Sequence, residues 1–274
     1  MLVRTISGTV AVLLVIALLA LNHFFGFFAT ITLCILAAFA TYEMLHNTGC
    51  IKNAFLNLIA VIYAAAAQLA YNVDMIDVEL VTIAYVVIVA LFAVFAHKTI
   101  GERQVAMALA MPVVIAYAFA ALERLLNHAD GHGLFYFALL LNFSSVADTS
   151  AYFVGKTFGK HKLAPVVSPK KTIEGSVGGL IGSLIGAVIF TFGYEFLVKG
   201  ADVNLWLLLA ITPVMCILGM LGDLFTSAIK RNYDVKDYGN LIPGHGGILD
   251  RTDSILMVAP ALDLFLRYVP IVNL

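Results

Sequence analysis

Nine apolar runs, each long enough for a helix and separated by short polar connections, constrain this chain more than any other feature. They fall at 6–21, 24–44, 55–71, 80–96, 105–122, 134–153, 175–198, 203–229 and 254–269. Runs of that length in a chain that is 62% hydrophobic and 12% charged exclude an ordinary soluble domain. A β-barrel would alternate polar and apolar residues over short strands, and no such pattern is visible. The expected fold is all-α: a polytopic integral membrane protein with about nine transmembrane helices in a single domain, 1–274. Within it, 1–133 supplies N-terminal helices and 134–274 carries the motifs. The first run follows one arginine, as in a signal peptide, but no small-x-small cleavage site comes after it and a second run follows directly. An uncleaved first span is expected.

The basic residues test this division. With the N-terminus inside, the inside segments hold Arg4, Lys52, Lys98, Arg103, five lysines between 156 and 171, then Lys230, Arg231, Lys236 and Arg251. That is 13 of the 16 Lys and Arg, leaving only Arg124, Lys199 and Arg267 outside. The basic residues are clustered at the membrane and carry no argument for nucleic acid. Cys34, Cys50 and Cys216 are far apart, in or beside apolar runs, and read as small core residues. Gly175, Gly178, Gly179, Gly182 and Gly186, at spacings of three and four, form a small-residue face suited to close helix packing.

Acids in such a chain need a reason, since one at a helix centre costs roughly 2.5–3.5 kcal/mol on insertion scales. Asp148 lies near the inner end of the sixth run. Asp223 lies twenty residues into the eighth, about 30 Å of helical rise, which again reaches the inner side. Asp250 and Asp253 stand at the mouth of the ninth, beside the glycines of "IPGHGGILDRTDS". Taken singly, a helix-end aspartate is often a cap, and a lysine-rich loop often only contacts anionic lipid. Together, the carboxylates, the lysines of 154–174 and 230–253, and the backbone freedom of Gly244, Gly246 and Gly247 suit a divalent metal holding a polyphosphate. His245 fits a metal ligand, a phosphate donor or a turn residue equally. Asp263, with Arg267 four residues on, reads as half of an internal ion pair. No GxxxxGK[ST] phosphate loop occurs.

The stretch "SAIKRNYDVKDYGNLIPGHGGILDRTD", Ser227 to Asp253, resembles the signature of phosphatidate cytidylyltransferases (CDP-diacylglycerol synthases). It does so through Ser227, Lys230, Arg231, Lys236, Asp237, Pro243, His245, Gly246, Gly247, Asp250, Arg251 and Asp253. "ADTSAYFVGKTFGKHKLAPVVSPKKTIEG" is similar to a second family stretch through Asp148, Ser168, Pro169, Lys170, Lys171, Glu174 and Gly175. One departure is Thr226 in "GDLFTS", where many members carry glutamate.

The resemblance implies the reaction of CTP with phosphatidic acid to give CDP-diacylglycerol and pyrophosphate. It implies Mg²⁺ on Asp148, Asp223 and Asp250, with a second, monovalent cation such as K⁺. Asp223, Asp250, Lys230, Arg231 and His245 are the implied catalytic set. Ser168, Lys170, Lys171, Glu174, Lys236, Asp237, Gly246, Gly247, Arg251 and Asp253 are implied substrate contacts. A homodimer among membrane lipids, in the bacterial inner membrane with its site facing the cytoplasm, is also implied. Two alternatives stay open: a sister enzyme that uses CTP on another lipid phosphate or as a kinase, and a transporter. The second predicts acids near the bilayer midplane and two related halves.

Overall fold

A computed structural model describes residues 2–73, 77–128 and 130–273. Its helices are α1 (Leu2–Phe24), α2 (Phe28–Tyr42), α3 (Ala54–Asn72), α4 (Val78–Phe95), α5 (Glu102–Leu126), α6 (Gly133–Leu141), α7 (Ala147–Phe158), α8 (Ile173–Leu197), α9 (Leu205–Asn232), α10 (Leu249–Thr252) and α11 (Ile255–Tyr268). Among the described residues, seven helical segments are long and apolar enough to cross a membrane. They correspond to the second through eighth expected spans. α1 covers the first. α11 covers the ninth but has only 14 residues, or about 21 Å of rise against a core of about 30 Å. Two of the seven are discontinuous. A π-helical turn, Glu43–Asn47, ends α2, and another, Asn142–Val146, joins α6 to α7.

The side chains that face outward identify the solvent. In α4 only Tyr85 and Val89 are buried, while Leu80, Ile83, Val87, Leu91 and Val94 are exposed. Apolar exposure along a whole helix has no stable place in water, and lipid is its natural surrounding. The ends use ordinary caps. Asn53 Oδ1 accepts the Leu56 amide at 3.0 Å, and Asp77 Oδ1 accepts the Glu79 amide at 2.8 Å. The architecture is that of an all-helical polytopic membrane protein.

The chain divides into two compact units, 1–123 with 232–252, and 124–231 with 253–274. In the first unit, Leu33, Ala37 and Ala40 of α2 and Met44 of the turn that ends it are buried, as are Ala60, Ala64 and Ala67 of α3. That spacing of three and four residues lays one small apolar face along each helix. Buried Glu123 accepts hydrogen bonds from the Thr30 hydroxyl and, at 2.7 Å, from the Gln68 amide.

In the second unit, α8 packs on α7 through its glycines. A Cβ on Gly175 would meet the Ala151 carbonyl at 2.8 Å, and one on Gly179 the Ala147 carbonyl at 2.9 Å. Gly178, Gly182 and Gly186 similarly leave room for Val154, Ser150 and Asn142. The expected packing face is therefore real. At the π-helical turn, Asn142 Nδ2 donates to the Ser183 carbonyl at 2.9 Å, and Ser183 Oγ donates to the Asn142 carbonyl at 3.1 Å. Two antiparallel ribbons complete the unit: β1 (Lys162–Ala164) with β2 (Ser168–Thr172), and β3 (Asp202–Val203) with β4 (Val272–Asn273). Asp263 holds the expected pair with Arg267 at 2.6 Å, and a second arginine, Arg124, lies at 2.9 Å.

Candidate functional site

The acids and bases of the second unit are brought together by three local devices. The first is the β1–β2 ribbon, which replaces the loop expected at 154–174. Thr172 caps α8, its Oγ1 accepting the Gly175 amide at 3.1 Å. Glu174 accepts the amides of Lys160 and His161 at 3.1 and 3.2 Å and pairs with His161 Nδ1 at 2.6 Å. At the ribbon's turn, Arg231 Nε donates to the Val167 carbonyl at 3.2 Å. In β2, Lys170 is exposed, whereas Lys171 reaches Asp223 Oδ2 at 2.5 Å. Ser168 opens the strand, half-buried.

The second device is the small face of α9. A Cβ on Gly222 would meet the Asp253 carbonyl at 2.7 Å, and one on Gly219 the Phe143 carbonyl at 3.0 Å. Glycine at both positions lets the turn before α11 lie against α9 and places Asp253 near Asp223. Asp223 Oδ1 accepts from Ser227 Oγ at 3.1 Å, while Thr226 is turned inward and donates to the Asp223 carbonyl at 3.0 Å. The third device is the π-helical turn, after which Asp148 opens α7. Its Oδ2 accepts from Ser254 Oγ at 3.4 Å, and the Ser254 amide donates to Asp253 Oδ1 at 2.8 Å.

Asp253 reports the electrostatics. Burial raises its carboxyl from the ordinary carboxylate value to about 7, the charges of Asp223 and Asp148 add to the rise, and the Ser254 amide and Lys230 oppose it. Lys230 itself is buried. The cluster thus holds three carboxylates, Asp148, Asp223 and Asp253, with the amines of Lys171 and Lys230. Among the described residues, no three His, Cys, Asp or Glu side chains already converge as a metal cage. Mg²⁺ commonly takes one or two carboxylates and completes its shell with water and phosphate oxygens, so a preformed cage is not required. A half-buried carboxyl held toward its neutral form by desolvation, and further by neighbouring acids, is a place where an added cation is favourable.

The remaining sequence-derived candidates lie in the first unit, in and beside the loop between α9 and α10. Lys236, Asp237 and Arg251 are exposed there. Gly244 and Gly246 adopt φ of 77° and 87°, conformations in which glycine is favoured. The Ile242 amide donates to the Gly246 carbonyl at 2.8 Å, and the His245 amide to the Ile242 carbonyl at 2.9 Å, which closes a tight turn. Asp250 Oδ2 accepts the amides of Tyr238 at 2.7 Å and Gly247 at 3.0 Å. One side chain here was not singled out from the sequence. Glu43, in the π-helical turn after α2, is 3% exposed and accepts the Leu249 amide at 3.0 Å. Its only sequence signal is an acid embedded in the apolar run "FATYEML".

The fold and these charges define the class as a helical integral membrane protein that carries a cluster of carboxylates and amines. The family follows from comparison. The model of the Cytidylyltransferase family matches residues 2–269, and the chain belongs to that family. A phosphatidate cytidylyltransferase of Staphylococcus haemolyticus (strain JCSC1435) is 43% identical over 140 residues, 51% of this chain and 51% of the relative. One from Staphylococcus aureus (strain COL) is 42% identical over 134 residues, 49% of this chain and 50% of the relative. The matched part of the chain spans about half the length of these curated relatives.

Proposed function

We propose that this chain is a phosphatidate cytidylyltransferase, which joins CTP and phosphatidic acid to give CDP-diacylglycerol and pyrophosphate. The observation that carries the proposal is the grouping of Asp148, Asp223 and Asp253 with Lys171 and Lys230. Such a set can hold a cation and the phosphates that come with it. An oxygen of the lipid phosphate attacks the α-phosphorus of CTP. A new P–O bond forms, the bond from that phosphorus to the α,β-bridging oxygen breaks, and pyrophosphate leaves with the electron pair. The second pKa of a phosphate monoester is near 6, so the nucleophile is already largely dianionic at neutral pH and needs no strong base. The difficulty is repulsion between two polyanions, which calls for positive charge fixed in place.

Asp148, Asp223 and Asp253 are the groups that would hold Mg²⁺, which when bound neutralises phosphate charge. Lys171 is held on Asp223 at 2.5 Å, poised to exchange that carboxylate for a phosphate oxygen. Lys230 and the exposed Lys170 and Arg231 supply further cationic contacts. In the first unit, the tight turn that carries His245, Gly246 and Gly247 is the part of the loop proposed to meet the nucleotide. The distribution of basic residues supports segments 154–174 and 230–253 lying in the cytoplasm, where CTP is found, and the bacterial source of the relatives supports an inner membrane.

Purified protein in detergent, given CTP labelled at the α-phosphate, phosphatidic acid and Mg²⁺, should yield a labelled lipid on thin-layer separation. Label entering lipid only from the γ-phosphate would replace the proposal with a lipid kinase. Orientation has its own check. Single cysteines at Lys162 and Lys236, in a background lacking Cys34, Cys50 and Cys216, should react with an impermeant thiol reagent only after the membrane is opened. Labelling of either in intact cells would reverse the assignment.

A further inference from the structure

We infer that Glu43 is a positioning residue that fixes the glycine loop 238–250, and through it the loop's own contribution to CTP binding. The inference rests on the cytidylyltransferase reading above. α2 abandons the α-helical pitch after Tyr42, and the π-helical turn Glu43–Asn47 turns the Glu43 side chain inward at the end of an otherwise apolar helix. A carboxylate that is 3% exposed is tolerated only where hydrogen bonds replace water. Glu43 finds them on the loop, in the amide of Leu249 at 3.0 Å and that of Ile248.

The loop's composition follows from this. A Cβ on Gly239 would meet Glu43 Oε1 at 2.5 Å, and one on Gly247 would also run into the Glu43 carboxylate. Neither glycine has a positive φ, so close approach of Glu43, rather than backbone conformation, is what demands glycine there. Gly246, by contrast, has both a positive φ and Asp250 against it. Two carboxylates divide the inward amides: Asp250 takes Tyr238 and Gly247, and Glu43 takes Ile248 and Leu249. A loop rich in glycine has little preference for one shape. Here the shape is imposed by two buried acceptors, which take the amides of Tyr238, Gly247 and Leu249 on either side of the tip 243–245.

Glu43→Gln tests this, because the carboxamide keeps the volume while turning one acceptor oxygen into a donor that faces backbone amides. The expected result is a rise of tenfold or more in KM for CTP, no change in KM for phosphatidic acid, and faster amide exchange in 238–250 than in the rest of the fold. Glu43→Asp should restore part of the CTP affinity. Gly239→Ala should reproduce the CTP effect from the loop side. In a Glu43→Ala background it should add nothing, because the atoms its Cβ would meet all belong to Glu43. Equal rises in both KM values, an unchanged KM for CTP, or unchanged exchange of the loop amides in Glu43→Gln would overturn the inference. A wild-type protein that forms no cytidylyl lipid from CTP would overturn the enzyme assignment instead. Amide exchange alone would then decide whether Glu43 fixes the loop.

Discussion

Buried acids of the first unit and charged acids of the second are held differently. In the first, Glu43 and Asp250 accept backbone amides, and Glu123 accepts the Thr30 hydroxyl and the Gln68 carboxamide. In the second, Asp223 and Asp263 sit against lysine and arginine, and Asp148 and Asp253 share one neighbourhood. A neutral donor fixes a carboxylate geometrically and has little to exchange. A cationic partner can trade its carboxylate for phosphate, and a crowded carboxylate can take a cation. Amides that fasten a carboxylate to the backbone make it a scaffold, as with Glu43, whereas an amine such as Lys171 on Asp223 leaves it open to exchange.

The largest effects should come from one acid of each kind, Asp223 in the charged cluster and Asp250 in the glycine loop. Asp223→Asn and Asp250→Asn should each lower turnover by about 10²–10³-fold, the scale seen when a single preorganised charge or donor is lost. The comparison predicts different company for the two losses. The Asp223 side chain is 21% exposed, and its variant should melt near the wild type. The Asp250 variant should melt lower, because an uncharged carboxamide oxygen is a weaker acceptor for the two buried amides that share Asp250 Oδ2. Similar melting in both would erase the distinction between scaffold and reactive acid. Near-normal turnover in either would remove that residue from the site.

Chelation is the next test. EDTA should abolish formation of cytidylyl lipid from CTP, and added Mg²⁺ should restore it; full turnover in chelator would remove the metal from the proposal. Asp263→Asn sharpens the comparison within the second unit, because Asp263 has cationic partners but lies apart from the cluster. It should leave turnover within a few-fold and lower stability by about 1–3 kcal/mol. That is less than the roughly 3–5 kcal/mol for a fully buried pair, because the guanidinium groups reach solvent. A loss of turnover equal to that of Asp223→Asn would show that the two pairs are coupled. The smallest effect belongs to Thr30→Val, which removes one neutral donor from Glu123. It should cost about 1–2 kcal/mol with no change in turnover.

The spans were legible because lipid leaves little choice. Expected runs such as 55–71 and 175–198 return as Ala54–Asn72 and Ile173–Leu197. The short α11 was legible too: the expected run 254–269 returns as Ile255–Tyr268. The β1–β2 ribbon was missed for a physical reason. Its residues are lysines, prolines and small side chains with no alternating apolar face, and its shape comes from Thr172, Glu174 and Arg231. Residues such as Lys171 and Asp223 stood out individually as charges near a membrane, but nothing in the spacing of 171 and 223 says that they touch. Asp253 was read as a substrate contact; its proximity to Asp223 depends on Gly222, whose close approach only the fold reveals. Glu43 was invisible because its partners are backbone amides, which every sequence has.

The glycine face of α8 has a consequence for how this chain can change over time. On one side of that helix, any side chain beyond hydrogen is a wedge against α7, so substitutions there meet a barrier at the first step. On the other side, Val177, Ile181, Ile185 and Ile189 are exposed, and any apolar residue of similar bulk serves equally well against lipid. Two clocks should therefore run on a single helix, one nearly stopped and one ticking freely. The slow one holds Asp148 and Lys171 in register, while the fast one follows whatever membrane the organism makes.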